Sequence, residues 1–283
     1  MFRILLVLSS FIFSLQAFAF PEAPHKSLDE PLEYVTERNG YDFNGIVALS
    51  NCSASVVHFK GQPLSSKAYV LSNGHCLGGF GGFLKPGEVR YKRRDRRSMN
   101  VFVDVNNRFR VRSTELIYAT MTDTDAALFR INQTYQQLLD KGVASFELAS
   151  EPAVIGREIQ IVSGYWRRGY ECAVENYVHE LHEADWVMKD SLRYSPTGCD
   201  VIGGTSGSPV IAKGERLVVA VNNTMNESGK QCEMNNPCEV DSAGQITILK
   251  NRGYAQQTYW FYGCLDSNFE IDLNLATCEL PKP

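Results

Sequence analysis

The sequence lacks several features that define large classes of proteins. After residue 19 no stretch approaches the roughly eighteen uninterrupted apolar residues of a membrane helix, so we expect no membrane-spanning segment. No Cys-x-x-Cys pair occurs, which removes the usual zinc-binding spacings. The net charge is −4, and this small negative excess gives no general attraction to nucleic acid or to anionic membranes. There is no internal repeat and no low-complexity segment.

The first nineteen residues differ from the rest of the chain. A positive charge at Arg3 precedes an almost wholly apolar run over residues 4–15, and small residues stand at Ala17 and Ala19. This order is typical of a secretory signal peptide, with cleavage predicted after Ala19. We therefore expect a secreted or periplasmic protein, in which residues 20–40 form an N-terminal segment or a short pro-segment.

Eight cysteines follow this segment, and an even number of cysteines behind a signal peptide indicates disulfides. Metal binding is not favoured. His179 and His182 in the run HELHE are one residue too close to each other for the zinc helix motif. The alternation of residues around them predicts a strand instead. We expect no metal and no organic cofactor.

Short runs with alternating or β-branched residues recur along the chain, separated by Gly, Asn, Asp and Pro, and this pattern predicts a sandwich or a barrel. The density of these runs falls over residues 133–152, where residues 133–141 are a candidate helix. This gap divides the chain into two strand-rich halves of similar size. The predicted strands include residues 54–59, 68–71, 101–105, 109–121, 126–131, 158–163, 209–212, 216–221 and 245–249.

Positive charge is concentrated in residues 90–97, which read RYKRRDRR. We interpret this run as a solvated hairpin tip between two strands. The alternative is a docking patch or a site of self-cleavage.

The strongest chemical signal is the motif GTSGSP at residues 204–209, which an apolar strand follows directly. A nucleophilic serine needs a tight turn that exposes its hydroxyl, and backbone N–H groups that converge where an oxyanion forms. Gly204, two residues before Ser206, lets the chain turn its amides inward because no Cβ is in the way. The alternative is an ordinary Gly-Ser turn that caps a strand.

Two further segments offer the partners that such a serine needs. A predicted strand ends in the sequence SNGHC, which places His75 beside Cys76, where a disulfide can hold the ring in one orientation. The segment TDTDAAL over residues 122–128 places Asp125 at the mouth of an apolar strand, where an acid can fix the histidine tautomer. Asp123 is a competing acid, and we favour Asp125 because the apolar strand follows it immediately.

Together these segments resemble the trypsin-like serine proteases of the chymotrypsin fold, and most closely the bacterial-type branch that includes the glutamyl endopeptidases. The chain order His75, Asp125, Ser206 is the order of that family. The sequence CSASV, which begins at Cys52, resembles its cysteine strand.

The resemblance covers residues 40–250 and implies an all-β fold of two packed six-stranded β-barrels with the active site in the cleft between them. The implied protease domain spans residues 41–250, with barrels at about 41–132 and 153–250. Residues 251–283 have no counterpart in a minimal protease, so we expect a disulfide-stapled C-terminal extension.

The resemblance also implies the role of each site residue. Ser206 is the nucleophile, His75 is the general base, and Asp125 orients His75. The backbone amides of Gly204 and Ser206 form the oxyanion hole.

The implied specificity rests on Asp200, which lies six residues before Ser206. Trypsins carry the acid of the primary specificity pocket at this offset, so we expect cleavage after Arg or Lys. Asn222 belongs to the predicted pocket wall at a position where glutamyl endopeptidases place a histidine, which argues against an acidic preference. The alternative is that Asp200 turns outward and caps a turn.

Two departures from the family limit what the resemblance implies. Thr205 stands where trypsins carry an aspartate, so we expect no activation by an inserted, positively charged amino terminus. The cysteine usual four residues before the serine is replaced by Ile202, and Cys199 lies upstream instead. We expect the disulfides Cys52–Cys76, Cys172–Cys199, Cys232–Cys238 and Cys264–Cys278.

These expectations describe a secreted serine endopeptidase that acts on protein or peptide substrates as a monomer, without a nucleic-acid or membrane partner. An alternative from another class is a catalytically silent homologue that serves as a secreted binding protein. A third candidate is an esterase or other acyl transferase on the same scaffold.

Overall fold

Strands dominate the computed structural model, which describes residues 40–78 and 82–283. The expected signal peptide and almost all of the expected N-terminal segment lie outside the described residues. The first seven strands are β1 Ile46–Ala48, β2 Ser53–His58, β3 Lys67–Ser72, β4 Val89–Arg94, β5 Ser98–Phe102, β6 Arg108–Thr120 and β7 Ala126–Thr134.

Six of these strands close a barrel. The antiparallel pairings run from β1 through β2, β3, β7, β6 and β5, and β5 pairs with β1 again. The core is built from side chains such as Val56, Val70 and Phe129, which are fully buried. Apolar and β-branched residues at these positions favour strands because they pack well on a pleated surface.

The remaining strands are β8 Phe146–Leu148, β9 Glu158–Ser163, β10 Arg168–Glu183, β11 Trp186–Tyr194, β12 Pro209–Ala212, β13 Leu217–Met225, β14 Cys238–Val240, β15 Ile246–Thr247 and β16 Gly253–Gln257. A second circuit of antiparallel pairings runs from β9 through β10, β11, β16, β13 and β12 back to β9. The short strand β8 lies parallel to both β2 and β13 and connects the two circuits. β14 and β15 form a small addition to the edge of β10.

Strand β16 lies beyond residue 250, in the segment that we expected to be an extension. Its pairing with β13 and β11 means that the second circuit of strands continues to Gln257. The strand was hidden in the sequence because two of its buried residues are glutamines. The side-chain amides of Gln256 and Gln257 donate to Ser191 Oγ (2.9 Å) and Asp190 O (2.8 Å), which offsets the cost of burying them.

The hairpin of β10 and β11 reaches across to the first barrel. The Trp186 indole donates to the Leu84 carbonyl at 2.9 Å. Asp123 N donates to Val187 O at 3.0 Å, and Lys189 N donates to Asp123 O at 2.8 Å. These contacts bring the tip of the hairpin close to the segment that carries Asp125.

The basic run at residues 90–97 is mainly strand β4, and not the hairpin tip that we expected. Val89 and Tyr91 are half-buried on one face of β4, and Arg90 and Lys92 are exposed on the other. This is the alternation of a strand with one solvated face, and the charged residues obscured it because they also occupy most of the following turn.

The helix expected at residues 133–141 is present as the shorter α1, Tyr135–Leu139. Strand β7 continues to Thr134, which begins the helix with a capping box. The hydroxyl of Thr134 accepts from Gln137 N at 3.2 Å, and the Gln137 side chain accepts from Thr134 N at 3.0 Å. Among the described residues, no helix has the length and apolar character needed to cross a membrane.

The C-terminal tail packs against the first barrel. Phe261 is 2% exposed and contacts Tyr118 edge-on, with ring centroids 6.1 Å apart. The hydroxyls of Tyr69 and Tyr91 donate to the carbonyls of Phe269 (2.9 Å) and Ile271 (2.7 Å). The tail therefore contributes to the hydrophobic core of the barrel.

The structure contains four disulfides, and they are the four pairs expected from the sequence: Cys52–Cys76, Cys172–Cys199, Cys232–Cys238 and Cys264–Cys278.

The tail disulfide gives a prediction about stability. Cys264 and Cys278 are separated by 14 residues. Removing the disulfide that closes this loop, by the double substitution Cys264→Ser and Cys278→Ser, should lower the free energy of unfolding by about 3 kcal/mol. Urea denaturation of the oxidised protein and the double variant measures the difference. An unchanged transition midpoint would show that this disulfide does not stabilise the cooperative fold.

Candidate active site

His75 lies in a single turn of 3-10 helix, His75–Leu77, just after strand β3. The neighbouring Cys76 is bonded to Cys52, the residue before strand β2, so the backbone at this turn is tethered. Asp125 contacts His75 twice. Its Oδ1 accepts from the backbone N of His75 at 3.0 Å, and its Oδ2 lies 2.6 Å from the ring Nδ1. One carboxylate therefore fixes both the backbone and the ring.

Asp125 is 2% exposed and lies immediately before strand β7. Its own carbonyl accepts from the Asn73 side chain at 2.8 Å, which ties it to the loop of His75. The competing acid Asp123 has a side chain that is 41% exposed and forms an ion pair with Lys189 at 3.0 Å. Asp125 is thus the carboxylate that touches His75, and Asp123 fastens the hairpin of β10 and β11.

The surroundings of His75 raise its pKa above the usual 6.5. Burial disfavours the charged ring, but the negative charge of Asp125, its hydrogen bond and the charge of Glu183 together outweigh that effect. The same groups stabilise an imidazolium, which is the form that a histidine takes after it accepts a proton.

Ser206 lies in a turn that is packed directly onto strand β2. Ser53 N donates to Ser206 O at 2.8 Å. At Gly207, which has a φ of +79°, a Cβ would lie 2.1 Å from the carbonyl oxygen of Ser53. Only glycine fits this close approach of two backbones. The glycine after the serine therefore lets the first barrel support the serine turn.

The hydroxyl of Ser206 donates to the Asn223 carbonyl at 3.2 Å. Within residues 40–78 and 82–283, no hydrogen bond joins this hydroxyl to His75. Both side chains line one cleft, together with Asp125 and the end of strand β13.

The two peptide units before Thr205 are held by side chains from neighbouring segments. The Trp166 indole donates to the Gly203 carbonyl at 2.7 Å, and Ser53 Oγ donates to the Gly204 carbonyl at 3.3 Å. Because a trans peptide is planar, fixing the Gly203 carbonyl also directs the N–H of Gly204 to the opposite side. Gly204 itself has a φ of +89°, and a Cβ there would lie 2.8 Å from the Trp166 indole nitrogen.

A chain of neutral hydrogen bonds lies beneath the serine turn. Tyr194 donates its hydroxyl to Asn222 Oδ1 at 3.0 Å, and Asn222 Nδ2 donates to Thr205 O at 3.1 Å. The Thr205 hydroxyl then donates to Ile202 O at 2.5 Å. Asn222 lines the cleft as expected of a wall residue, but its amide is already used within this network. The hydrogen bonds that support the serine turn in this network are therefore all between uncharged groups.

The expected role of Asp200 needs correction. Its side chain is exposed, and it does not belong to the residues that line the cleft. Cys199 and Val201 on either side are buried at 6% and 2% exposure, and the Cys172–Cys199 disulfide anchors the segment to β10. With both neighbours turned inward, Asp200 faces outward. The structure therefore agrees with the outward orientation of Asp200 in the alternative interpretation.

Arg97 contributes to the site although the sequence indicates only that it belongs to the solvated basic run at residues 90–97. Its guanidinium donates to the carbonyls of Cys76 (2.6 Å) and Leu77 (3.3 Å) and lies over the ring of Phe129. It therefore buttresses the turn that carries His75. The carboxylate of Asp95, two residues earlier, accepts from Arg97 N at 3.1 Å. This short spacing is the only feature of the local sequence that indicates an ordered Arg97.

Aromatic side chains that the sequence did not indicate cover His75. Phe83 contacts the His75 ring edge-on at a centroid distance of 6.2 Å, and Trp186 contacts Phe83 in the same way at 5.8 Å. Trp186 comes from the hairpin of β10 and β11, far away in sequence. No local pattern could have indicated this contact.

One group of donor residues has the proximity of a metal site: Cys52, His75 and Cys76. The two cysteines are bonded to each other, so neither offers a thiolate. The donor set of this group does not fit a metal.

Solved structures that are similar to the chain at low sequence identity include the following three. They are the MamO protease domain from Magnetospirillum magneticum (12% identity, TM-score 0.46, 76% of this chain and 92% of that one), the Nocardiopsis protease (14%, 0.42, 76% and 91%), and neuropsin, a serine protease expressed in the limbic system of mouse brain (13%, 0.45, 79% and 95%). In the comparison with curated proteins, no sequence matches this chain.

The family model described as the trypsin-like peptidase domain matches residues 52–221, which is more than half of the 283 residues. That range contains His75, Asp125 and Ser206, together with most of both circuits of strands. The chain belongs to the trypsin-like peptidase family.

Proposed function

We propose that the protein is a serine endopeptidase that hydrolyses peptide bonds through an acyl-enzyme on Ser206. The observation that carries the proposal is the double contact of the buried Asp125 with His75, in a cleft that Ser206 also lines. A carboxylate bound to Nδ1 keeps the proton on that nitrogen and leaves Nε2 as the proton acceptor.

In the proposed reaction Ser206 Oγ attacks the scissile carbonyl, and its proton passes to Nε2 of His75. The carbonyl oxygen becomes an oxyanion that accepts hydrogen bonds from the amides of Gly204 and Ser206. His75 then gives its proton to the leaving amine as the C–N bond breaks. Water, deprotonated by His75, attacks the ester. As the C–Oγ bond breaks, His75 returns the proton to Ser206 Oγ, and the acid product leaves.

This reaction requires the Ser206 hydroxyl to turn from the Asn223 carbonyl towards His75. Hydrogen bonds of catalytic groups are often absent or long before substrate binds. The support of the serine turn by Gly207, Trp166 and the Thr205 network favours an oxyanion site that exists before substrate arrives.

Several further assignments belong to this proposal. The two closed circuits of strands are assigned to the two six-stranded barrels of the chymotrypsin type. Four disulfides support a secreted or periplasmic location, because such bonds persist in oxidising compartments. We assign a monomer that needs no cofactor and whose partners are protein or peptide substrates.

A second candidate function is a catalytically silent binding protein. The orientation of the Ser206 hydroxyl towards Asn223 favours it. Incubation with N-acetylated peptides of mixed sequence, followed by mass spectrometry of the products, distinguishes the two. New free amino termini are expected from a peptidase, whereas peptides that bind and remain intact would support the silent homologue.

The raised pKa of His75 predicts the pH dependence of hydrolysis. Because only the neutral ring accepts a proton, kcat/KM should rise with pH through a midpoint above the ordinary value of 6.5. Removing the negative charge of Asp125 as Asp125→Asn should move the midpoint of the residual activity to lower pH. A pH profile of kcat/KM for a peptide without ionisable side chains measures both, and a wild-type midpoint below 6.5 would contradict this electrostatic account.

A further inference from the structure

A carboxylate that the proposed reaction does not use lies in the same cleft. Glu183 ends strand β10, is 8% exposed, and lines the cleft with His75 and Ser206. Neither its type nor its spacing belongs to the motifs that identify the triad, so a separate reason is needed for a buried acid at this place.

The carboxylate of Glu183 is held in position by neutral donors. Asn235 N donates to Oε1 at 2.7 Å, and the Thr224 hydroxyl favours the ionised carboxylate and so acts to lower its pKa. Within the described part of the chain, no Lys or Arg forms an ion pair with it. Burial is the largest influence on its pKa and raises it, and the negative charge of Asp125 adds to this effect. Thr224, the Asn235 amide and the charge of His75 act in the opposite direction but do not cancel it. A carboxylate in such a place is stabilised by a cation that arrives with a ligand.

The cleft beside Glu183 has a mainly apolar wall, and its second unassigned carboxylate, Glu227, is exposed to solvent. Trp186, Met188, Met225 and Met234 line the cleft, and three of these four are methionines. The flexible thioether side chain of methionine adapts to unbranched apolar groups. The combination of an adaptable apolar wall with a carboxylate fits a side chain that has an aliphatic stem and a cationic end.

Part of the apolar wall of the cleft lies on a loop that a disulfide closes. The Cys232–Cys238 disulfide closes the loop that carries Met234 and Asn235. Ala184 N donates to Cys232 O at 2.7 Å, which joins this loop to the hairpin next to Glu183. The site is therefore made of segments from β10, the end of β13 and the stapled loop, and Asp200 has no part in it.

We propose that Glu183 determines substrate specificity by binding the ammonium or guanidinium group of a substrate Lys or Arg, whose stem lies along the methionine-lined wall. The inference rests on the proposed peptidase function and identifies the acidic residue that recognises the substrate side chain. A charge-assisted hydrogen bond to a buried carboxylate is stronger than one between neutral groups, so lysine should be distinguished from its uncharged analogues.

The test compares substrates that differ only in charge. N-acetylated, internally quenched peptides carry Lys, Arg or norleucine at each position in turn around one mapped cleavage site. At one position Lys and Arg should exceed norleucine in kcat/KM by at least about tenfold, which corresponds to about 1.4 kcal/mol. The acetyl group removes the α-amine, so a preference seen only with unblocked peptides would overturn the assignment to a side chain.

Variants then identify the acid. Glu183→Gln should reduce the ratio of Lys to norleucine to within about twofold of unity. The matched control is Glu180→Gln, on the same strand but outside the cleft, where the carboxylate pairs with His182. This variant and Asp200→Asn should leave the ratio at its wild-type value. A cation preference at no position, or one that survives Glu183→Gln, would overturn the inference.

Failure of this inference is distinguishable from failure of the proposed function. If the wild-type protein cuts the lysine and norleucine peptides with equal kcat/KM, Glu183 has no such role and the peptidase assignment stands. This outcome uses the wild-type protein alone, so it does not depend on whether a variant folds. If nothing is cut, calorimetry of N-acetyl-lysine-amide with the Ser206→Ala protein still answers the question. If N-acetyl-lysine-amide binds the Ser206→Ala protein and the added Glu183→Gln substitution weakens this binding about tenfold or more, the cation site is supported. If the two proteins bind it equally, or neither binds it, the inference is overturned.

Discussion

Replacing Ser206 by alanine is expected to lower kcat for peptide hydrolysis about 10⁴–10⁶-fold. His75→Ala should have an effect of the same size, because the nucleophile and its base act as a unit. For the same reason the double variant should be hardly less active than either single variant. Steady-state kinetics with one quenched peptide measures all three.

Ser208 provides the matched control for Ser206. It lies two residues later in the same turn, is fully buried, and its hydroxyl has no hydrogen-bond partner among the described residues. Ser208→Ala is therefore expected to keep kcat within about threefold of wild type, since removing an unpartnered hydroxyl leaves no polar group unsatisfied. Loss of activity in Ser208→Ala with retention in Ser206→Ala would reverse the assignment of the nucleophile.

Asp125→Asn is expected to lower kcat about 10⁴-fold, although the side chain keeps its shape. The amide nitrogen can donate to Nδ1, which moves the ring proton to Nε2 and removes the acceptor that Ser206 needs. Buried between Asn73 and His75, the new amide has little freedom to turn away.

Asp123→Asn is the companion to this variant. Asp123 is exposed and pairs with Lys189, and surface ion pairs contribute about 0–1 kcal/mol, so the turnover should change only a few-fold. A severe loss in Asp123→Asn together with a mild one in Asp125→Asn would mean that the wrong acid has been assigned. Kinetics of both purified variants at the same pH decides between the two.

Much of the candidate site could be predicted from short local motifs in the sequence. A strand that ends at a histidine beside a cysteine, and an acid at the mouth of an apolar strand, led to His75 and Asp125, which lie in contact in the structure. The strand ranges at residues 158–163 and 209–212 also agree with β9 and β12. These features could be read because each depends on a few consecutive residues.

Features that depend on contacts between distant segments could not be read in this way. The offset of Asp200 from the serine matched the family, but the two chain neighbours of Asp200, Cys199 and Val201, face inward, so Asp200 faces out. Glu183 and Trp186 reach the cleft only because a long hairpin crosses to the first barrel. Strand β16 was missed because its buried glutamines are satisfied by partners on β11.

Covalent labelling with a fluorophosphonate tests the central claim most directly. The phosphorus reacts with a serine only where a base removes its proton and an oxyanion site stabilises the adduct. Intact-mass and peptide analysis of the wild-type protein should find one adduct, on Ser206, and none in Ser206→Ala or His75→Ala, while Ser208→Ala is labelled like wild type. A wild-type protein that remains unlabelled, or is labelled at another residue, would contradict the account.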